Sequence, residues 1–125
     1  MAIDLAGPTP ILVKLALNAA TLRHEVIANN IANINNAAYR PLRVSFEDQL
    51  SGLMANNGLA NDQALYAKLE TVKPEIIETS NKANVNQLDI EMINMAKNTL
   101  HYQTLLTGLK GYSSITKMAI KEGKL

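Results

Sequence analysis

The chain has 125 residues, room for one domain and hardly for two, with 47% hydrophobic residues and a net charge of +1. That charge exerts no strong pull on nucleic acid or an anionic membrane. There is no cysteine, which excludes disulfides, zinc–thiolate sites and thiol chemistry.

Only 4% of residues are aromatic, with one Phe, four Tyr and no Trp. A core must therefore be built from Leu, Ile, Val, Met and Ala, which suit helix-on-helix packing. No apolar run approaches the roughly 20 residues of a transmembrane helix. Residues 11–20 are moderately apolar, but no basic region precedes them, so no cleaved signal peptide is expected.

The first predicted element is a long helix. Thr9 can cap it and Pro10 suits its first position, where a missing N–H costs nothing. Leu12, Leu15, Ala19, Leu22 and Val26 then follow in steps of three and four. A second stripe, Val13, Leu17, Ala20, Ile27, Ile31 and Ile34, lies beside it, and two stripes predict neighbours on more than one side. Some 25 residues make a rod of roughly 38 Å. The helix is expected to stop near Asn35-Asn36, since Asn tolerates a left-handed stop.

The middle, residues 41–85, is less regular. Ser45 can cap a short helix from Phe46 to Met54, with Glu47 and Asp48 in its first turn. Asn56-Asn57-Gly58 signals a turn. Residues 66–79 mix Leu69, Val72, Ile76 and Ile77 with charges around Pro74, consistent with a short extended or mobile segment. Residues 80–86 have the composition of a linker.

The last predicted element is a second long helix, capped by Asn86 and running almost to the end of the chain. Leu88, Met95, Tyr102, Leu109 and Thr116 recur one heptad apart, interleaved with Leu105, Tyr112 and Ala119. That is a coiled-coil-like seam, interrupted early by Glu91 and Asn98. The fold class is therefore all-α. Residues 1–40 and 86–125 form N- and C-terminal axial helices paired as an elongated hairpin, and the irregular segment 41–85 completes one domain.

Little in the chain suits catalysis. His24 and His101 lie on different helices without metal-ligand spacing, and read as helix-surface or interface residues. Asp89 and Glu91, two apart, point to different faces and read as partners of the helix dipole. Ser45, Ser51, Ser113 and Ser114 lack a nucleophile motif. The six glycines are scattered, so no phosphate loop is formed. No enzyme activity, cofactor or metal is expected.

The positive signal is asparagine, 14 residues in all, five of them between Asn29 and Asn36. Asn is a poor helix-interior residue because its amide competes for backbone groups. Asn29 and Asn33 continue the Leu12–Val26 seam, where a buried amide favours a single register. Solvated amides that fray the helix end are the alternative, and the residues alone leave both open.

Arg23-x-x-x-Ile27-Ala28-x-Asn30-Ile31-Ala32-Asn33, followed by Tyr39-Arg40 and Phe46-Glu47, resembles the N-terminal signature of bacterial flagellar rod, hook and hook-associated proteins. Asp89-x-Glu91-Met92-x-x-Met95-x-x-Asn98-x-x-x-Tyr102 resembles their C-terminal signature. The shortness of the chain and the ending Ala119-Ile120-Lys121-Glu122-Gly123 are most similar to proximal-rod members. The resemblance spans residues 10–50 and 84–123. It departs at Asn36-Ala37-Ala38, where the family usually has Thr-Pro-Gly, and no Phe-containing export signal is visible before residue 20.

The resemblance implies a structural subunit that assembles with copies of itself and with other rod proteins into a helical tube. That tube would transmit torque and surround the export channel. Implied partners are other rod proteins, the rod–MS-ring adaptor FliE, the MS ring and the flagellar type III export apparatus. The implied location is the periplasm-spanning rod of the basal body, reached without signal cleavage. The expected helix pair within a subunit is Leu12, Leu15, Leu22 and Val26 against Met95, Tyr102, Leu105 and Leu109. Expected assembly contacts are Asn29, Asn30, Asn33, Tyr39, Asn98 and Tyr102. The alternatives are the neighbouring rod protein FlgC and, from another class, a soluble helical adaptor or chaperone.

Overall fold

The computed structural model describes residues 8–57 and 62–123. Its elements in chain order are α1 (Pro8–Ala32), β1 (Leu42–Ser45), α2 (Glu47–Asn57), α3 (Asp62–Leu69), β2 (Glu75–Glu78) and α4 (Gln87–Gly123). The architecture is the expected all-α hairpin, in which the two long terminal helices pack together.

Helix α1 starts at Pro8, so the expected cap, Thr9, lies inside its first turn. Pro8 and Pro10 both fit there, because the first N–H groups of a helix have no intrahelical acceptor. The helix stops at Ala32, short of Asn35-Asn36. Asn33 N is shared between the carbonyls of Asn29 and Asn30, 3.2 Å from each, and Ile34 N then reaches back only to Ile31 O. This tightening ends the α-helix, and the chain leaves it in two turns.

Phe46, not Ser45, caps α2. Its carbonyl accepts the first helical bond, from Leu50 N, while Ser45 closes β1. Asn56 and Asn57, expected in a turn, are the last residues of α2, and Gly58 lies outside the described residues. Asn86 does start α4, its carbonyl accepting from Ile90 N at 3.1 Å.

Of residues 66–79, expected as a short extended or mobile segment, the first four close α3 and Glu75–Glu78 form β2. Strands β1 and β2 pair antiparallel, with Leu42 opposite Glu78 and Ser45 opposite Glu75. The pairing continues outward through Thr79 N to Pro41 O (3.0 Å) and Ala83 N to Tyr39 O (3.2 Å). All four residues of β2 are exposed, and its outer edge pairs with no other strand among the described residues.

The apolar core lies on one side of α1. Ala19, Phe46 and Val72 are buried together, with Leu12, Leu15, Ala16, Leu50 and Leu53 packed around them. Leu12 and Leu15 thus serve the cluster shared with α2 and the residues after α3.

On the other side, α1 meets α4 in antiparallel fashion. Ala20 is buried there, and so small a residue lets two helices approach closely. At 1.5 Å per residue, α4 with 37 residues is about 18 Å longer than α1 with 25. Asn98 lies against Ala20, so the excess carries the C-terminal part of α4 past Pro8.

The register of α4 differs from the heptad reading. The residues turned inward in its first half are Gln87, Glu91, Asn94, Met95 and Asn98, while Leu88 is exposed. Two polar anchors, Asn98 to Ala20 O and Arg43 to Glu91, set the rotation. In the second half, Leu105 and Leu109 are half-buried, while Tyr102, Tyr112 and Ala119 of the same predicted seam are exposed.

Candidate functional site

Asn30 is 1% exposed and makes three hydrogen bonds through its amide within the chain. Its Nδ2 donates to Leu42 O at 3.0 Å, and its Oδ1 accepts from Leu42 N at 2.8 Å and from the Tyr39 hydroxyl at 2.7 Å. The side chain therefore imitates a neighbouring strand and starts β1. Asn29 Nδ2 donates to the same Tyr39 hydroxyl at 2.8 Å. Asn33 Nδ2 donates to Asn29 O at 2.8 Å, within its own helix.

The turn that departs from Thr-Pro-Gly is also built by asparagine. Asn36 Oδ1 accepts from Ala38 N and Asn36 O from Tyr39 N, each at 3.0 Å. This is an Asx turn stacked on a β-turn, in which the amide supplies the local restraint that proline would otherwise impose.

Asn98, 7% exposed, donates to Ala20 O at 2.7 Å in the middle of the α1–α4 contact. Any slip of one helix along the other strands that amide in an apolar surround. Tyr102 is 37% exposed and lines a groove of about 590 Å³ with Ala20, Thr21, His24 and Leu106. Val26 is buried in the helix pair, and Leu22 and Met95 are half-buried.

Two ion pairs within this framework escaped the sequence reading. Arg23 Nη1 donates to Glu47 Oε1 at 2.8 Å, its Nη2 to Glu47 Oε2 and, at 3.3 Å, to Val44 O. One guanidinium thus joins α1, the end of β1 and the start of α2. Arg43 Nη1 donates to Glu91 Oε1 at 2.9 Å, and Gln87 Nε2 donates to the same oxygen at 2.6 Å. Glu91 is fully buried, so it is a structural ion-pair partner and not a solvated partner of the helix dipole. The only local signal for it was the i, i+4 spacing of Gln87 and Glu91; Arg43 lies 48 residues away in sequence.

Partial burial pushes the Glu47 carboxyl upward. Hydrogen bonds from Arg23 and its own backbone, with the charges of Arg23 and His101, outweigh that and hold it below the usual 4.5. A carboxyl depressed in the folded state adds stability above its unfolded value and loses it as pH falls through the folded value. The Arg23–Glu47 link should therefore persist at pH 4.5 and weaken only below it. An NMR titration should place the Glu47 midpoint under 4.5, and Arg23→Gln should raise it. An unchanged midpoint in that variant would remove the guanidinium as the cause.

Among the described residues no group of three or more His, Cys, Asp or Glu is placed to hold a metal. None of their helices is long and apolar enough to cross a membrane. What remains outward is hydrophobic. Leu88, Met92, Ile93 and Leu100 on α4 are between 41% and 65% exposed, and Ile115 and Met118 continue the exposure toward its end.

No family model matches the chain. The flagellar basal body rod protein FlgB of Bacillus subtilis (strain 168) is 30% identical over 116 residues, covering 87% of this chain and 90% of that protein. The chain belongs to the FlgB family. FlgB proteins of Yersinia enterocolitica and Yersinia ruckeri are each 28% identical over 123 residues, covering 86% of this chain and 90% of their own. FlgB is a family of structural flagellar rod proteins, not of enzymes, and membership makes the chain a component of the flagellar basal-body rod. The hydrogen-bonded pairs described above therefore belong to a rod-protein scaffold. Within the N-terminal signature Arg23 meets Glu47 and Asn30 meets Tyr39, while Glu91 and Asn98 of the C-terminal signature meet Arg43 and Ala20.

Proposed function

We propose that the chain is a proximal-rod subunit that assembles with copies of itself and other rod proteins into a helical tube around the export channel, and that the tube transmits torque. The observation that carries this reading is the outward apolar row of α4. Exposed apolar surface rimmed by polar residues marks an interaction site, and Leu88, Met92, Ile93 and Leu100 are aligned on a helix already anchored by its other face. Head-to-tail contacts between such faces build open helical assemblies.

In this reading Asn29, Asn33 and Tyr102 contribute polar contacts at the assembly face. Asn30, Tyr39 and Asn98 act from inside by fixing how that face is presented. Leu12, Leu15, Leu22, Val26, Met95, Leu105 and Leu109 hold the subunit together. The rod–MS-ring adaptor FliE, the MS ring and the type III export apparatus are the proposed partners, and export proceeds without signal cleavage.

Ile93→Glu is the direct test. Ile93 is 54% exposed, so the substitution should change stability by no more than about 0.5 kcal/mol. In a strain relying on the variant, the chain should be made and exported while rods fail to form and swimming stops. Normal swimming would overturn the assembly role of this face.

A further inference from the structure

A cleft of about 450 Å³ opens between α1, β1, the start of α2 and α4. Its apolar lining is Val26, Ile27, Leu42 and Val44. Its ionic lining is Arg23, Arg43, Lys97 and Glu47, beside the His101 imidazole. Arg23 is held by Glu47, and Arg43 by Glu91 beneath it. Lys97 and His101 are both exposed and form no ion pair among the described residues.

We propose that this cleft binds an acidic segment of a neighbouring protein, a carboxylate lying between Lys97 and His101 and an adjoining apolar side chain against Leu42 and Val44. Three features favour that occupant. The unpaired Lys97 ammonium, with the His101 imidazole N–H beside it, lines a concave surface, where low-dielectric walls strengthen its field. The apolar lining gives an aliphatic side chain somewhere to bury, which a free inorganic anion has no use for. The rigid ion pairs on either side hold the cleft open at no further cost in ordering on binding. The inference rests on the reading of the chain as an assembling subunit and names the chemistry of one contact.

The test is a titration of the ¹⁵N-labelled full chain with a capped peptide of alternating Glu and Leu, and with its Gln–Leu counterpart. Amide shifts at Val44, Lys97 and His101 should saturate with the Glu–Leu peptide. The Gln–Leu peptide should bind about fivefold more weakly or worse, the scale of one lost ion pair. Lys97→Glu should weaken the Glu–Leu peptide by at least that factor, and Lys110→Glu should leave it unchanged. Equal binding of both peptides would overturn the proposal. So would cleft shifts with inorganic phosphate but not with peptide, which indicate a simple anion site. Concentration-dependent shifts of the same amides without peptide would replace the acidic partner with a second copy of the chain. Failure of the titration while Ile93→Glu still stops rod formation refutes the cleft alone; failure of both refutes the assembly reading.

Discussion

Asn30→Leu is expected to lower folding stability by about 3 kcal/mol, although leucine has the same number and branching of side-chain heavy atoms as asparagine. The loss comes from polar groups left behind. Asn30 satisfies both the N–H and the C=O of Leu42 and accepts from the Tyr39 hydroxyl. A buried backbone group without a partner costs about 1–3 kcal/mol; the substitution strands the Leu42 N–H and removes the acceptor of the Tyr39 hydroxyl, while Leu42 O keeps Arg43 Nη1 at 2.8 Å. Asn33→Leu is the internal control. Asn33 is half-buried and its amide reaches only Asn29 O, so its loss should cost about 1 kcal/mol or less. Urea unfolding followed by circular dichroism compares the two. Equal costs would mean that the Asn30 amide is not what starts β1.

The second large effect belongs to the Arg43–Glu91 pair. Glu91 is fully buried, and its Oε2 has no hydrogen-bond partner among the described residues. Removing Arg43 leaves that carboxylate with Gln87 alone, and breaking a buried ion pair on one side costs about 3–5 kcal/mol. Because Arg43 itself is about one-third exposed, the lower end, about 3 kcal/mol, is expected for Arg43→Ala. Glu91→Gln should cost far less, since a neutral amide needs no counter-charge. In the double substitution Arg43→Leu with Glu91→Leu, most of the loss should return, because neighbouring sites that share one interaction are not additive. Denaturant midpoints of the three variants decide it; a double variant no more stable than Arg43→Ala would exclude the uncompensated charge as the cause.

These two clusters also mark where the sequence could be read and where it could not. Helices α1 and α4 were legible from apolar spacing, from prolines in a first turn and from Asn86 as a cap, all of which act within a few residues. Strand β1 was not, and β2 was legible only as one option for a short extended segment within residues 66–79. Leu-Arg-Val-Ser alternates over only four residues, and Glu-Ile-Ile-Glu does not alternate. Their geometry is imposed by Asn30, twelve residues before Leu42. The asparagine run announced that its amides mattered but not which groups they would meet. The heptad reading of α4 followed hydrophobicity and so placed Leu88 inward. The fold instead rotates the helix to satisfy Glu91 and Asn98, because a buried polar group without a partner costs more than an exposed leucine.

Strand β2 reads the same in both directions, Glu-Ile-Ile-Glu, with every side chain exposed and one edge open. An open edge is a template for unwanted sheet growth between molecules. If two copies met edge to edge around Ile76 and Ile77 in antiparallel register, Glu75 of each would oppose Glu78 of the other, and like charges directly across a strand pair repel. The symmetry of the four residues thus places a repulsive pair at both ends of the contact. Subunits crowded together can press their helices into one another while their small sheets stay apart.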